Sequence, residues 1–315
     1  MRKSSQGLCV LLLAVFVAGC SAAPVKEQRP YIMTMAEEAS ASGAAAYANG
    51  DFAKAAVRFG ESLRMNRSVD NRGGELVDLI NIGRATVELG DARSAVAMLE
   101  DALRLAALLK DEAALSEGHA TIAKAHQLAG ESPTALDHIE QSILIDARLG
   151  RRSGTALNLK GLIYLSAGRR QEAGPILAEA LKLNTNANDS VQAANSMRAL
   201  AEFERESGDL KEAYAYLERA YKADKSTASS GRIALDLEMM ADIRVIEGRR
   251  ADGAFLYERS YLVSLSNGQT SKAISRIEKL IKTYMDIGDV EKARFYTAIR
   301  DGILAGQDNS GRYGN

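Results

Sequence analysis

"LNLKGLIYLSAGRRQEAGPIL", residues 157–177, holds two helical faces joined by one glycine. Gly161 lies seven residues before Gly168, Ala173 five after it and Leu177 nine after it. Small and large apolar residues at these offsets fit helical rather than strand periodicity. Working outward, the same glycine recurs at Gly50, Gly90, Gly130, Gly208, Gly248 and Gly288, so the seven markers are 40, 40, 38, 40, 40 and 40 residues apart. Five after each marker comes a small residue: Ala55, Ala95, Ala135, Ala173, Ala213, Gly253, Ala293. Nine after come Phe59, Leu99, Ile139, Leu177, Leu217, Tyr257 and Thr297, large and apolar except the last. Seven before stand Gly43, Gly83, Ala123, Gly161, Ala201, Ala241 and Ile281, again small except the last. Each unit therefore reads as helix, glycine turn, helix. The glycine ends the first helix with positive φ, and small residues let two helices approach while large ones fill the gap.

This pattern resembles the tetratricopeptide repeat over about residues 31 to 308. The resemblance implies an all-α, right-handed solenoid of about seven helix-turn-helix repeats, in which the first helix of each pair lines a concave face. The period exceeds the roughly 34 residues of the family's usual repeat, so longer helices are expected, and the proline that commonly closes the motif is missing. Composition agrees: the 315 residues are 46% hydrophobic, rich in alanine and leucine, with 5% aromatics, no Trp and 4 Pro, which favours helix. The irregular seventh repeat suits a polar cap.

The ends read differently. Arg2 and Lys3 precede the uncharged run "LCVLLLAVFVAG", residues 8–19. That is the layout of a secretory signal and is short for a bilayer span. The run closes in "VAGC", which resembles the lipobox of bacterial lipoproteins. The resemblance implies a signal peptide at 1–19, cleavage before Cys20, acylation (diacylglyceryl and palmitate-type chains) on Cys20, and a tether over 20–30. Residues 309–315 are expected to be a disordered tail. The only cysteines are Cys9 and Cys20, so the body has no disulfide or cysteine metal site. Loss of Arg2 and Lys3 leaves 38 basic against 41 acidic residues, a net charge of about −3, which does not suggest nucleic acid.

No phosphate loop, nucleophile elbow or zincin motif is present. The acids after the turn glycines, Asp51, Asp91, Asp209 and Asp289, are dispersed and become Arg169 and Arg249 in two repeats. An enzyme, a cofactor and a metal are therefore not expected. The three histidines fall in repeat three. His119 and His126 are seven apart, roughly 10 Å along one helix, too far to share one zinc directly; His119 occupies a slot that is apolar elsewhere and reads as a core substitute. Arg169, Arg170, Arg249 and Arg250 read as solvated turn charges.

Function is then expected from surfaces. In the family, residues ten, six and three before the turn glycine tend to face the groove. Those slots give Asn158, Leu162 and Leu165 in repeat four, Arg198, Glu202 and Arg205 in repeat five, and Glu238, Asp242 and Val245 in repeat six. Apolar anchors beside charges suit a partner helix or an extended peptide. The expectation is an exported lipoprotein acting as an adaptor or assembly scaffold. Ser21, where aspartate would signal inner-membrane retention, favours the outer membrane with the solenoid in the periplasm. A pilotin-like assembly factor for a secretion or pilus channel, and a cell-wall-associated binding protein, are the alternatives.

Overall fold

The computed structural model describes residues 31–310, with side chains to Gly306; the expected signal peptide, Cys20, the expected tether and residues 311–315 lie outside them. Every regular element among the described residues is an α-helix, and the helices form seven antiparallel pairs. The first pairs are α1 (Tyr31–Ala48) with α2 (Phe52–Ser68), α3 (Arg72–Glu88) with α4 (Ala92–Leu109), and α5 (Glu112–Leu128) with α6 (Ser132–Arg148). Then come α7 (Gly154–Ser166) with α8 (Arg170–Asn186), α9 (Ser190–Ser207) with α10 (Leu210–Ser226), α11 (Ser230–Ile246) with α12 (Arg250–Ser266), and α13 (Thr270–Asp286) with α14 (Val290–Ser310). Each helix packs on its neighbours in sequence, and α3, α5, α7 and α9 also touch in succession. The chain is thus an all-α helical-repeat solenoid, as the spacing predicts. The last helix runs two residues past the expected boundary at 308.

The recurrent motif has a role for each residue. All seven marker glycines have positive φ, and the residue after the first of them closes the turn, Asp51 N–H donating to Ala46 O at 2.9 Å. The acid then caps the second helix: Asp51 accepts from Lys54 N at 3.1 Å, Asp91 from Ser94 N at 3.1 Å and Asp209 from Glu212 N at 3.0 Å, satisfying amide groups that have no intrahelical partner. Where Arg169 or Arg249 stands instead, no side chain caps the helix. The small residue five places after the glycine is buried in every repeat. The residue nine after it presses on the one seven before: a Cβ at Gly83 would lie 2.6 Å from Leu99, and one at Gly161 would lie 2.6 Å from Leu177 Cγ.

A second set of turns, between repeats, escaped the glycine search. Asp70, Lys110, Gly150, Asn188, Ala228 and Gly268 all have positive φ and recur at the same period. Only two are glycine. Asn and Asp tolerate this region, Lys and Ala less so. The 38-residue interval also finds its cause here. Helices α3, α5, α11 and α13 have 17 residues and α7 has 13. Residues 151–153 stay unwound before α7 begins at Gly154.

Within and between repeats runs a row of buried polar residues that the apolar periodicity did not show. Asn66 donates to Asp78 at 2.8 Å, Ser116 to Asp146 at 2.9 Å, and Asn184 to Ser196 at 2.9 Å. Arg198 links Asp224 and Asp236. Asn66–Asp78 and Asn184–Ser196 join the end of one repeat to the start of the next, Ser116–Asp146 joins the two helices of the third repeat, and Arg198 ties both helices of the fifth to the first of the sixth. These are directional contacts where the apolar core alone is nondirectional.

The superhelix meets its own beginning. Gln269 Nε2 donates to Asn49 O at 2.7 Å, with Asn267 Nδ2 at 3.5 Å from the same oxygen, and Lys272 Nζ lies 5.1 Å from the centre of the Phe52 ring. Gly50 is required twice at this seam, by a φ of +76° and because a Cβ would sit 2.6 Å from Gln269 Nε2.

Candidate functional site

The concave face encloses a groove of about 1290 Å³. Most of its wall comes from α1, α3, α5, α7, α9, α11 and α13, the first helices of the pairs. In the first quarter, Tyr47 meets Phe52 edge-on at 5.2 Å, donates to Glu88 at 3.3 Å, and lies under Arg84. Burial, with the Glu88 charge added, pushes the Tyr47 hydroxyl up to about 12, so it remains a donor. Lys124 pairs with the same carboxylate.

The late start of α7 exposes a different floor in the middle. Arg151 reaches Asp146 at 2.6 Å, and Ser153 caps α7. Asn158, 9% exposed, faces the groove with its Oδ1 buried and, among the described residues, unpartnered. A buried acceptor without a donor costs about 1–3 kcal/mol. Leu162 lines the wall beside it. Leu165, three before the turn glycine, does not: it is buried with Tyr164, Leu177 and Leu200 in the core between repeats. Its expected groove position is corrected by the helix rotating that slot onto the next repeat.

The expected charge stripe divides. Arg198 reaches the groove wall but is only 7% exposed. Its Nε donates to Asp236 at 2.7 Å, its Nη1 to Asn195 at 2.7 Å, and Asp224 takes its Nη2. Asp236 is fully buried, and desolvation outweighs the pull of Arg198, raising its carboxyl to about 6. Arg198 therefore belongs to the joint between repeats, and an acid there would face two buried carboxylates. Glu202 lines the groove and pairs with Arg205 at 2.9 Å. Arg205, Asp242 and Val245 line a separate depression of about 450 Å³, where Tyr257 and Lys279 bind Asp242. Glu238 lines the groove and pairs with Arg276 at 2.9 Å and Lys279 at 2.7 Å.

Eight basic side chains and five acidic ones line the main groove, against an overall net charge of −1. The groove is thus more positive than the chain that builds it. Among its residues, Arg151, Arg152, Gln192, Arg232, Gln269 and Lys272 were missed by the three-slot rule, since they lie in the turns between repeats or in the first turns of helices.

The histidines behave as a unit rather than as a lone core residue. His119 is half-buried, and its Nδ1 lies 3.0 Å from that of His138. The His138 ring stacks on His126 at 5.7 Å, and His126 Nδ1 reaches Glu131 at 2.6 Å. Burial and the neighbouring ring hold His119 and His138 below the usual imidazole range. Among the described residues, no group of three or more His, Cys, Asp or Glu could hold a metal ion, and no helix is long and apolar enough to cross a membrane.

Residues 152–226 match the tetratricopeptide repeat family, which describes a helical repeat rather than a catalytic domain. No curated protein matches the sequence. Solved structures share the fold. BtubC of P. vanneervenii has a TM-score of 0.57 at 18% identity, over 73% of this chain and 92% of that one. A Rap protein complexed with competence and sporulation factor gives 0.57 at 11%, over 88% and 99%. NprR in complex with its cognate peptide NprX gives 0.54 at 13%, over 80% and 76%. These likenesses show the fold, an all-α helical-repeat solenoid, and the repeat match falls within it, on α7 to α10.

Proposed function

We propose that this protein is an exported, lipid-anchored adaptor that holds a segment of a partner protein in its concave groove. The observation that carries the reading is Asn158: a buried acceptor without a donor, beside the apolar wall of Leu162, in a groove lined by the first helices. A partner's backbone N–H would satisfy the acceptor, and an apolar side chain would cover the leucine. NprR, similar in fold, is solved in complex with its cognate peptide, which supports peptide binding as a use of this architecture. The anchor rests on the "VAGC" motif at 17–20, whose Cys20 would be acylated and would place the solenoid at the periplasmic face of an outer membrane. Two or more acyl chains anchor firmly where one does not.

The test is in-cell photo-crosslinking from position 235, an exposed leucine on the groove wall, with mass spectrometry, on the full-length chain and on a Leu162→Asp, Glu202→Arg variant. Glu202 is chosen because, among the described residues, its one ion pair is with the partly exposed Arg205. The expected result is a discrete crosslinked protein that the variant, still folded by circular dichroism, no longer captures. Equal capture by the variant would move the interface off the groove. Cys20→Ser should move the protein into the soluble fraction and abolish fatty-acid labelling; unchanged fractionation and labelling would refute the anchor.

A further inference from the structure

The groove cations are not equivalent. Seven of the eight pair with a carboxylate. Lys272 is the exception: among the described residues it makes no ion pair, and its ammonium sits over the Phe52 ring with Gly50 beneath it. The surrounding walls desolvate it, and Arg276 adds repulsion, so its pKa is lowered despite the opposing pull of Glu88 and Glu238. Beside it, Gln269 Oε1 is buried and unpartnered, while its Nε2 is occupied by Asn49 O. An unpaired cation next to an unpartnered acceptor asks for a ligand with both a negative charge and an N–H. A bare anion offers only the first. An acidic peptide offers both, from a side-chain carboxylate and a backbone amide.

The location adds a second constraint. Phe52 and Asn49 belong to repeat one, Gln269 and Lys272 to repeat seven, and the two groups meet only because the superhelix closes. Among the described residues, the polar contacts across this seam are few: hydrogen bonds to one carbonyl and one cation–π contact. A closure held so lightly is readily biased by anything that bridges it.

We propose that the closure seam is a binding site for a carboxylate-bearing extended peptide, assembled from the first and seventh repeats and stabilising the closed ring when occupied. The inference rests on the groove reading above and names the chemistry of the partner segment at one end of that groove. The lysine supplies charge recognition, Gln269 accepts a backbone N–H, and the ligand ties together repeats that the chain alone holds by a few polar contacts.

The test uses the full-length chain in detergent micelles. A short polyglutamate peptide, a polylysine peptide, a neutral glycine–serine peptide and inorganic phosphate are titrated by calorimetry. Hydrogen exchange of the amides at 49–52 is followed with and without polyglutamate. Expected are binding of polyglutamate alone, slowed exchange at 49–52 on binding, and a loss of affinity of about tenfold or more in Lys272→Glu. Lys272→Gln should lose less and serves as the second variant if the charge reversal misfolds. Equal binding of the neutral peptide or phosphate, undiminished binding by both variants, or exchange at 49–52 indifferent to the peptide would each overturn the proposal. Should the position-235 crosslink persist while polyglutamate fails to bind, the seam site falls and the groove reading stands.

Discussion

Replacing Gly161 by alanine sets two opposing effects against each other. Gly161 lies inside α7, where alanine is favoured over glycine by about 1 kcal/mol. Its new Cβ, however, would lie 2.6 Å from Leu177 Cγ, and Leu177 is fully buried with no room to swing. Such overpacking costs about 1–3 kcal/mol, so Gly161→Ala should be neutral to destabilising, by up to about 2 kcal/mol. Leu177→Ala alone should cost about 2–5 kcal/mol through lost burial and a cavity. In that background the Cβ at 161 enters vacated space, the clash disappears, and Gly161→Ala should stabilise by about 1 kcal/mol. The double-mutant cycle should therefore show a favourable coupling of about 1–3 kcal/mol. Urea denaturation followed by circular dichroism gives the cycle, with hydrogen exchange of α7 and α8 separating local from global opening in a repeat array. Additivity within about 0.5 kcal/mol would refute the reading of this pair as the knob that sets the helix spacing.

Ala228 holds a left-handed conformation at φ 51°, a strain of about 1–2 kcal/mol for a residue with a Cβ. Ala228→Gly should relieve it against an entropic loss of about 0.4–1 kcal/mol, leaving a small net stabilisation, and a lower denaturation midpoint would contradict this. Asp236, raised from 3.8 to about 6 by burial, binds its proton more tightly folded than unfolded. It therefore contributes stability that is fully present below about pH 4 and is lost as pH rises through about 6. Asp236→Asn should flatten that slope in pH-dependent denaturation, and an unchanged slope would discount the assignment.

Much of the architecture was legible because a solenoid writes its core once per repeat. The marker glycines, the alanines after them and the pairs such as Gly83 with Leu99 carry both the turn and the interhelical contact. The turns at Asp70, Lys110, Asn188 and Ala228 were not legible, because no single residue type marks them. Periodicity gave the direction in which Asn158 and Arg198 point. It did not reveal that Arg198 already has two carboxylate partners on α10 and α11 while Asn158 Oδ1 has no donor. That distinction depends on residues 26 and 38 positions away. The meeting of Gln269 with Asn49 lay furthest from view, since it depends on the accumulated rotation of all the intervening repeats.

That meeting has a bearing on how this protein can change over generations. An open solenoid can gain or lose a repeat at an end or in the middle, because each unit contacts only its neighbours. Here the hydrogen bonds from 267 and 269 to Asn49, and the fit of Gln269 against Gly50, tie the turn entering the seventh repeat to the turn within the first. Duplication of an internal repeat would carry the far end past this junction, and deletion would leave it short. Keeping this junction therefore fixes the number of units, and changes that preserve it are substitutions within units and length changes such as the shortened α7.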